Sequence, residues 1–207
     1  MKSKSRNTLV FACLAALVFV IILPVATVFG SRQPEADILA GSGNPVLELI
    51  ARSYSARAFA EGSIDPLDIE RILLSGTRAP SARNAQPWHF TVVENFTYIS
   101  QLLPAARQGN IMIIVSGNPT LFPLTMHFDC GLATQNMQLA AEALGYGARI
   151  YISPIPEIER VWREDFNIPE LNVVLAALLV GHVDEGIDAA TYATRRNSLA
   201  DHVNFVR

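Results

Sequence analysis

Half of the 207 residues are hydrophobic and 17% are charged, which suits one domain with appendages and excludes wholesale disorder. The net charge of −3 conceals an asymmetry: Lys2, Lys4 and Arg6 put three positive charges on the first seven residues, and thirteen arginines against nineteen acidic residues leave −6 on the rest. A mildly acidic body without a basic cluster excludes nucleic-acid binding as the function class.

From Asn7 to Ser31 the chain carries no charge over 25 residues, and Leu9 to Leu23 is almost entirely aliphatic or aromatic. About 20 apolar residues span a bilayer core, so residues 1–30 read as a signal-anchor helix. The competing reading is a signal peptide cleaved after Val28-Phe29-Gly30. Both keep the basic end on the cytoplasmic side. The remainder is then expected on the non-cytoplasmic side, held by a single pass or released as a secreted or periplasmic protein.

Residues 31–44 read as a linker, and 45–207 as the folded domain. Asn44-Pro45 and Asp65-Pro66 each place a capping side chain before a proline at the first helical position. The first helix carries Val46, Leu49 and Ile50. The second carries Ile69, Ile72 and Leu73, and Gly76 is expected to close it. Short β-branched runs at 88–93 and 111–116 predict strands, as do 148–152 and 173–180. Between the first and second pairs, 125–144 predicts a long helix with Phe128, Leu132, Leu139 and Ala143 on one stripe, ended by Gly145 and Gly147. Ile158, Val161 and Trp162 suggest a short helix, and 182–207 reads as an extension over a neighbouring surface. The fold class is α+β, a small sheet wrapped by helices.

Cys13 and Cys130 have no metal or redox spacing and read as small buried hydrophobes. The histidines at 89, 127, 182 and 202 are dispersed, without ligand spacing. Three segments carry chemistry. Ser53-Tyr54-Ser55-Ala56-Arg57-Ala58-Phe59 follows a helix end with hydroxyls and a guanidinium suited to an anion. Ala79-Pro80-Ser81-Ala82-Arg83-Asn84-Ala85-Gln86-Pro87-Trp88 is a proline-bounded polar loop running into a strand. Arg195-Arg196 can clamp a phosphate. Taken singly, these are equally a helix cap, a turn and surface charge.

In this order, together with Asp129-Cys130-Gly131-Leu132-Ala133-Thr134-Gln135-Asn136-Met137-Gln138-Leu139-Ala140-Ala141 and Leu144-Gly145, they resemble the nitroreductase family over roughly residues 45 to 198. The resemblance implies a mainly antiparallel sheet in an intertwined homodimer, with FMN bound between the subunits. Ser55 and Arg57 would hold the flavin, Arg57 at the pyrimidine edge, where a cation stabilises the charge gained with a hydride. Pro80, Ser81 and Asn84 would approach the flavin of the partner subunit. Arg195 and Arg196 would hold the phosphate, and backbone near Ser153-Pro154-Ile155 would lie beside the ring. At the family's first arginine this chain has Ser53, with Arg52 one residue away as the substitute. Asn136 reads as a structural hydrogen bond at a helix packing or dimer contact.

The activity implied is transfer of hydride or electrons through the flavin to a small acceptor such as a nitroaromatic or quinone. The donor is NAD(P)H or, for an exported domain, a membrane quinol or redox partner. The alternatives are a reductive dehalogenase, which the short 89–128 interval disfavours, and a non-catalytic flavin-binding module. No side chain is assigned as catalytic and no metal is expected.

Overall fold

In the computed structural model, which describes residues 38–187 and 196–207, each Asx-Pro pair opens a helix. Asn44 accepts from the amides of Val46 (3.0 Å) and Leu47 (3.3 Å) at the head of α1, Pro45–Arg52. Asp65 accepts from Leu67 (2.8 Å) at the head of α2, Pro66–Thr77. These bonds satisfy amides that a helix start leaves without intrahelical partners, while proline has none to lose. Gly76 does not close α2. It lies inside the helix, where an added Cβ would come within 2.8 Å of Met137 Cγ, so the glycine is there to let two helices approach.

The chain continues through β1 (Trp88–Val93), α3 (Phe96–Leu102), β2 (Ile111–Gly117), α4 (Met126–Ala143), β3 (Gly147–Tyr151), α5 (Ile155–Glu157, running into a π-wound turn at Ile158–Trp162) and β4 (Val173–Gly181). The strands form one antiparallel sheet in the order β1-β2-β4-β3, in agreement with the α+β expectation. Helix α3 was not expected; Asn95 caps it by accepting from Thr97 (2.9 Å).

Strands β2 and β4 read as continuous apolar runs because both their faces are covered. Met112, Ile114, Ala177 and Leu179 point into one core with Ile99, Ile158 and Phe166. Ile111, Ile113, Val115, Leu178 and Val180 point into the other with Ile72, Met126, Met137 and Ala141 of α2 and α4. A bulge between Val115 and Ser116 shifts the β2–β4 register.

Helix α4 buries a different face from the one its large apolar residues suggested. Phe128 is 68% exposed, Ala143 is exposed, and Leu132 and Leu139 are half-buried. The covered face is Met126, Asp129, Cys130, Ala133, Thr134, Met137, Gln138 and Ala141. Periodicity defines a stripe, but close approach to a sheet and to α2 selects the stripe with small residues. Its polar members are satisfied locally, Thr134 by the Cys130 carbonyl at 2.8 Å and Gln138 by Glu142 at 2.9 Å. Cys130, on the second turn, is buried here, as the sequence reading has it.

The chain divides into two compact units, residues 44–197 and residues 1–43 with 198–207. In the second, 38–40 are helical, and Ser198 and Asp201 form a reciprocal capping pair. The expected membrane segment 1–30 lies outside the described residues, among which no helix is long and apolar enough to cross a membrane. Residues 182–184, at the start of the expected extension, pair with the segment that follows α1. His182 and Asp184 exchange backbone hydrogen bonds with Ala60 (2.8 Å) and Ala58 (3.1 Å), and Val183 bridges Phe59.

Candidate functional site

The segment after α1 leaves the helix in extended conformation and crosses the end of the sheet at β3. The Ala56 amide donates to the Ala148 carbonyl at 3.1 Å. Alternation sorts its first side chains, Ala56 buried between the exposed Ser55 and Arg57, and the pattern breaks at Phe59, which is buried as well. Gly147 permits this crossing, because a Cβ there would meet Val183 Cγ2 at 2.4 Å and Ala56 Cβ at 3.0 Å. Arg52, the last residue of α1, is exposed. Ser53 turns inward, donating through Oγ to Glu142 Oε1 of α4 at 3.0 Å. Burial raises the Glu142 carboxyl above its ordinary range, while hydrogen bonds from Gln138 and Ser53 and the charge of Arg52 pull it partly back.

The polar loop before β1 is held in an uncommon shape. Arg83, Asn84 and Gln86 have φ of 52°, 57° and 47°, the left-handed region that non-glycine residues seldom enter. Each such residue costs on the order of 1 kcal/mol or more and persists only where neighbours enforce it. Here Ser81 Oγ accepts from the Gln86 amide at 3.0 Å. The Ala82 amide donates to Asp129 Oδ2 of α4 at 3.3 Å, and Thr125 donates to the same oxygen at 3.1 Å. The Arg83 guanidinium lies 5.2 Å from the Phe122 ring centroid. Pro80 and Asn84 are exposed and Ser81 is half-buried.

Both segments therefore dock on α4, but at opposite ends. Thirteen residues separate Asp129 from Glu142, about 20 Å along a helix. Within one chain the two segments are thus anchored at points well apart along α4. Of the arginine pair, Arg196 is exposed and Arg195 lies outside the described residues. Asn136 donates to the Ser75 carbonyl at 3.2 Å, the structural bond between helices expected of it.

The nitroreductase family profile matches residues 50–115 and 103–182. The chain belongs to the nitroreductase family. A protein of Archaeoglobus fulgidus named as a candidate NADH dehydrogenase/NAD(P)H nitroreductase is 38% identical over 151 residues, covering 66% of this chain and 84% of the relative. A crystal structure of a candidate nitroreductase of Desulfovibrio desulfuricans in complex with FMN superposes with a TM-score of 0.67 at 26% identity, over 79% of this chain and 98% of that one. A nitroreductase of Bacteroides fragilis with bound FMN gives 0.64 at 25%, over 79% and 100%.

Sequence reasoning missed Glu142 and Gln138, which brace the Ser53 segment, and gave Asp129 no role beyond its place in a motif. Glu142 had no distinguishing signal. Asp129 had one: a carboxylate on the first turns of a helix, following a loop rich in amides.

Proposed function

We propose that this nitroreductase-family protein is an FMN-dependent oxidoreductase that takes electrons from NAD(P)H, or from a membrane quinol or redox partner where the domain is exported, and passes them to a nitroaromatic or a quinone. Its cofactor lies between two copies of the chain. Family membership and the FMN-bound relatives support the cofactor and the redox class. The name of the Archaeoglobus relative supports the donor. The observation that carries the two-copy arrangement is the attachment of the two motif segments at opposite ends of α4. A second copy related by a two-fold axis supplies the distant segment.

The side chains present fit the cofactor in kind. Ser55 and Arg57 offer a hydroxyl and a guanidinium on one outward face, and the 80–84 loop offers a rigid polar cover. Hydride transfer from donor to acceptor is the chemistry that FMN would supply here when bound. Arg57 stabilises the negative charge accumulating at the pyrimidine edge, and Ser55 orients that edge by hydrogen bonding. Pro80, Ser81 and Asn84 of the partner close the ring off from water. Arg52, Arg195 and Arg196 neutralise the phosphate.

The test is steady-state turnover of the full chain with NADH or NADPH and a soluble quinone or nitroaromatic. Arg57→Gln is expected to lower kcat/KM about 100-fold, the usual loss for one charge-stabilising donor. Unchanged turnover in that variant contradicts the assignment of Arg57.

Residues 1–30 are proposed as a membrane anchor with the domain on the non-cytoplasmic side, on the strength of the basic residues before the uncharged run. In that location NAD(P)H is out of reach, and a membrane quinol or redox partner replaces it as donor. A C-terminal reporter active only in the cytoplasm would overturn the topology.

A further inference from the structure

We infer that Glu142 is a positioning residue for the cofactor-holding segment, coupling capture of the flavin's phosphate to proton uptake. This rests on the FMN reading above. Glu142 stands in the last turn of α4, where the helix dipole already disfavours negative charge. It is half-buried, and Ser53 Oγ and Gln138 Nε2 both donate to one of its oxygens, at 3.0 Å and 2.9 Å. The family's arginine at position 53 is a serine in this chain, small enough to reach that carboxyl and tie the start of the 53–57 segment to α4.

The charge that acts favourably on Glu142 is Arg52, the neighbouring residue on α1. Asp68 of α2 bonds Arg71 (2.7 Å) and the Tyr146 hydroxyl (2.9 Å), and Arg149 of β3 lies 4.6 Å from the Tyr151 ring centroid. A phosphate seated on Arg52 cancels the one favourable field and adds a repulsive one. The carboxylate then becomes harder to keep ionised, so binding draws a proton onto it. By the same linkage, affinity for FMN falls as pH rises through the range where Glu142 ionises. Below that range the carboxyl is already neutral and the phosphate meets no penalty.

The experiment titrates FMN into the full-length apoprotein, wild type and Glu142→Gln, from about pH 5 to about pH 8, reading flavin fluorescence. The glutamine keeps an acceptor for Ser53 but cannot ionise, and the flavin phosphate's own titration is common to both proteins. The wild type is expected to lose about fivefold more affinity across the range than the variant, the size of an ordinary coupling between two sites. Parallel profiles overturn the inference. Should the variant fail to fold, calorimetry of the wild type at about pH 7, where the flavin phosphate is already mostly a dianion, in two buffers of different ionisation heat decides. Net proton uptake supports the coupling, and its absence refutes it. Absence of FMN binding at every pH sinks the cofactor reading instead.

Discussion

Asp129 is the residue on which the geometry of the 80–86 loop turns. It is 2% exposed, and one of its oxygens receives both the Ala82 amide and the Thr125 hydroxyl. Asp129→Ala strands a loop amide and is expected to cost about 1–3 kcal/mol in denaturant unfolding, with weaker FMN binding; Asp129→Asn, which keeps an acceptor, loses less. An alanine variant as stable as wild type contradicts this role. Next to it, burial and then the charge of Asp129 push the Cys130 thiol up to about 12. At about pH 8 the folded protein therefore presents a thiol and almost no thiolate, and Cys130 should escape alkylation by iodoacetamide until the chain unfolds. Rapid labelling of the native Cys130 peptide would show the burial to be wrong. The Pro80–Trp88 string was legible as letters, but its left-handed residues were not, since Arg83 and Gln86 are types that rarely adopt that region. Glu142 was illegible for a different reason. A glutamate at a helix end reads as solvated charge until the fold brings Ser53 to it.

Strands were readable to within a residue or so because two-sided burial selects unbroken apolar runs, as in Ile111–Gly117 and Val173–Gly181. Helix α3 was not, because Phe96–Leu102 is short and mixes β-branched and aromatic residues with little helical preference. Helix α4 was found, yet its inward face was misread, since bulk marked one stripe and close packing chose another. That packing is testable at Gly76, where an added Cβ meets Met137 at 2.8 Å and the Phe90 ring at 3.1 Å. Gly76→Val should destabilise by about 1–3 kcal/mol through overpacking, read as a lower Tm. Met137→Ala in the same chain should recover part of the loss, because the two changes share one space. Strict additivity would deny that the helices touch there.

For the whole molecule, α4 separates the anchor points of the two motif segments, Asp129 and Glu142, by about 20 Å, which the proposed two-copy site requires. The exposed Phe128 and half-buried Leu132 and Leu139 form an apolar stripe on its outer side, the face that the proposed second copy would cover. Subunit mixing tests this arrangement. A chain with Ser55→Ala and Arg57→Ala and a chain with Ser81→Ala and Asn84→Ala should each bind FMN poorly alone. Random pairing of equal amounts rebuilds one intact site in every mixed dimer, about a quarter of all sites. A mixture as poor as its components would mean that each site is built within one chain.

The most direct measurement is native mass together with visible absorbance of the purified full chain. The account predicts a pair of chains carrying two FMN molecules, bleached by a donor and recoloured by a quinone or nitroaromatic. A folded protein that stays colourless in saturating FMN contradicts it.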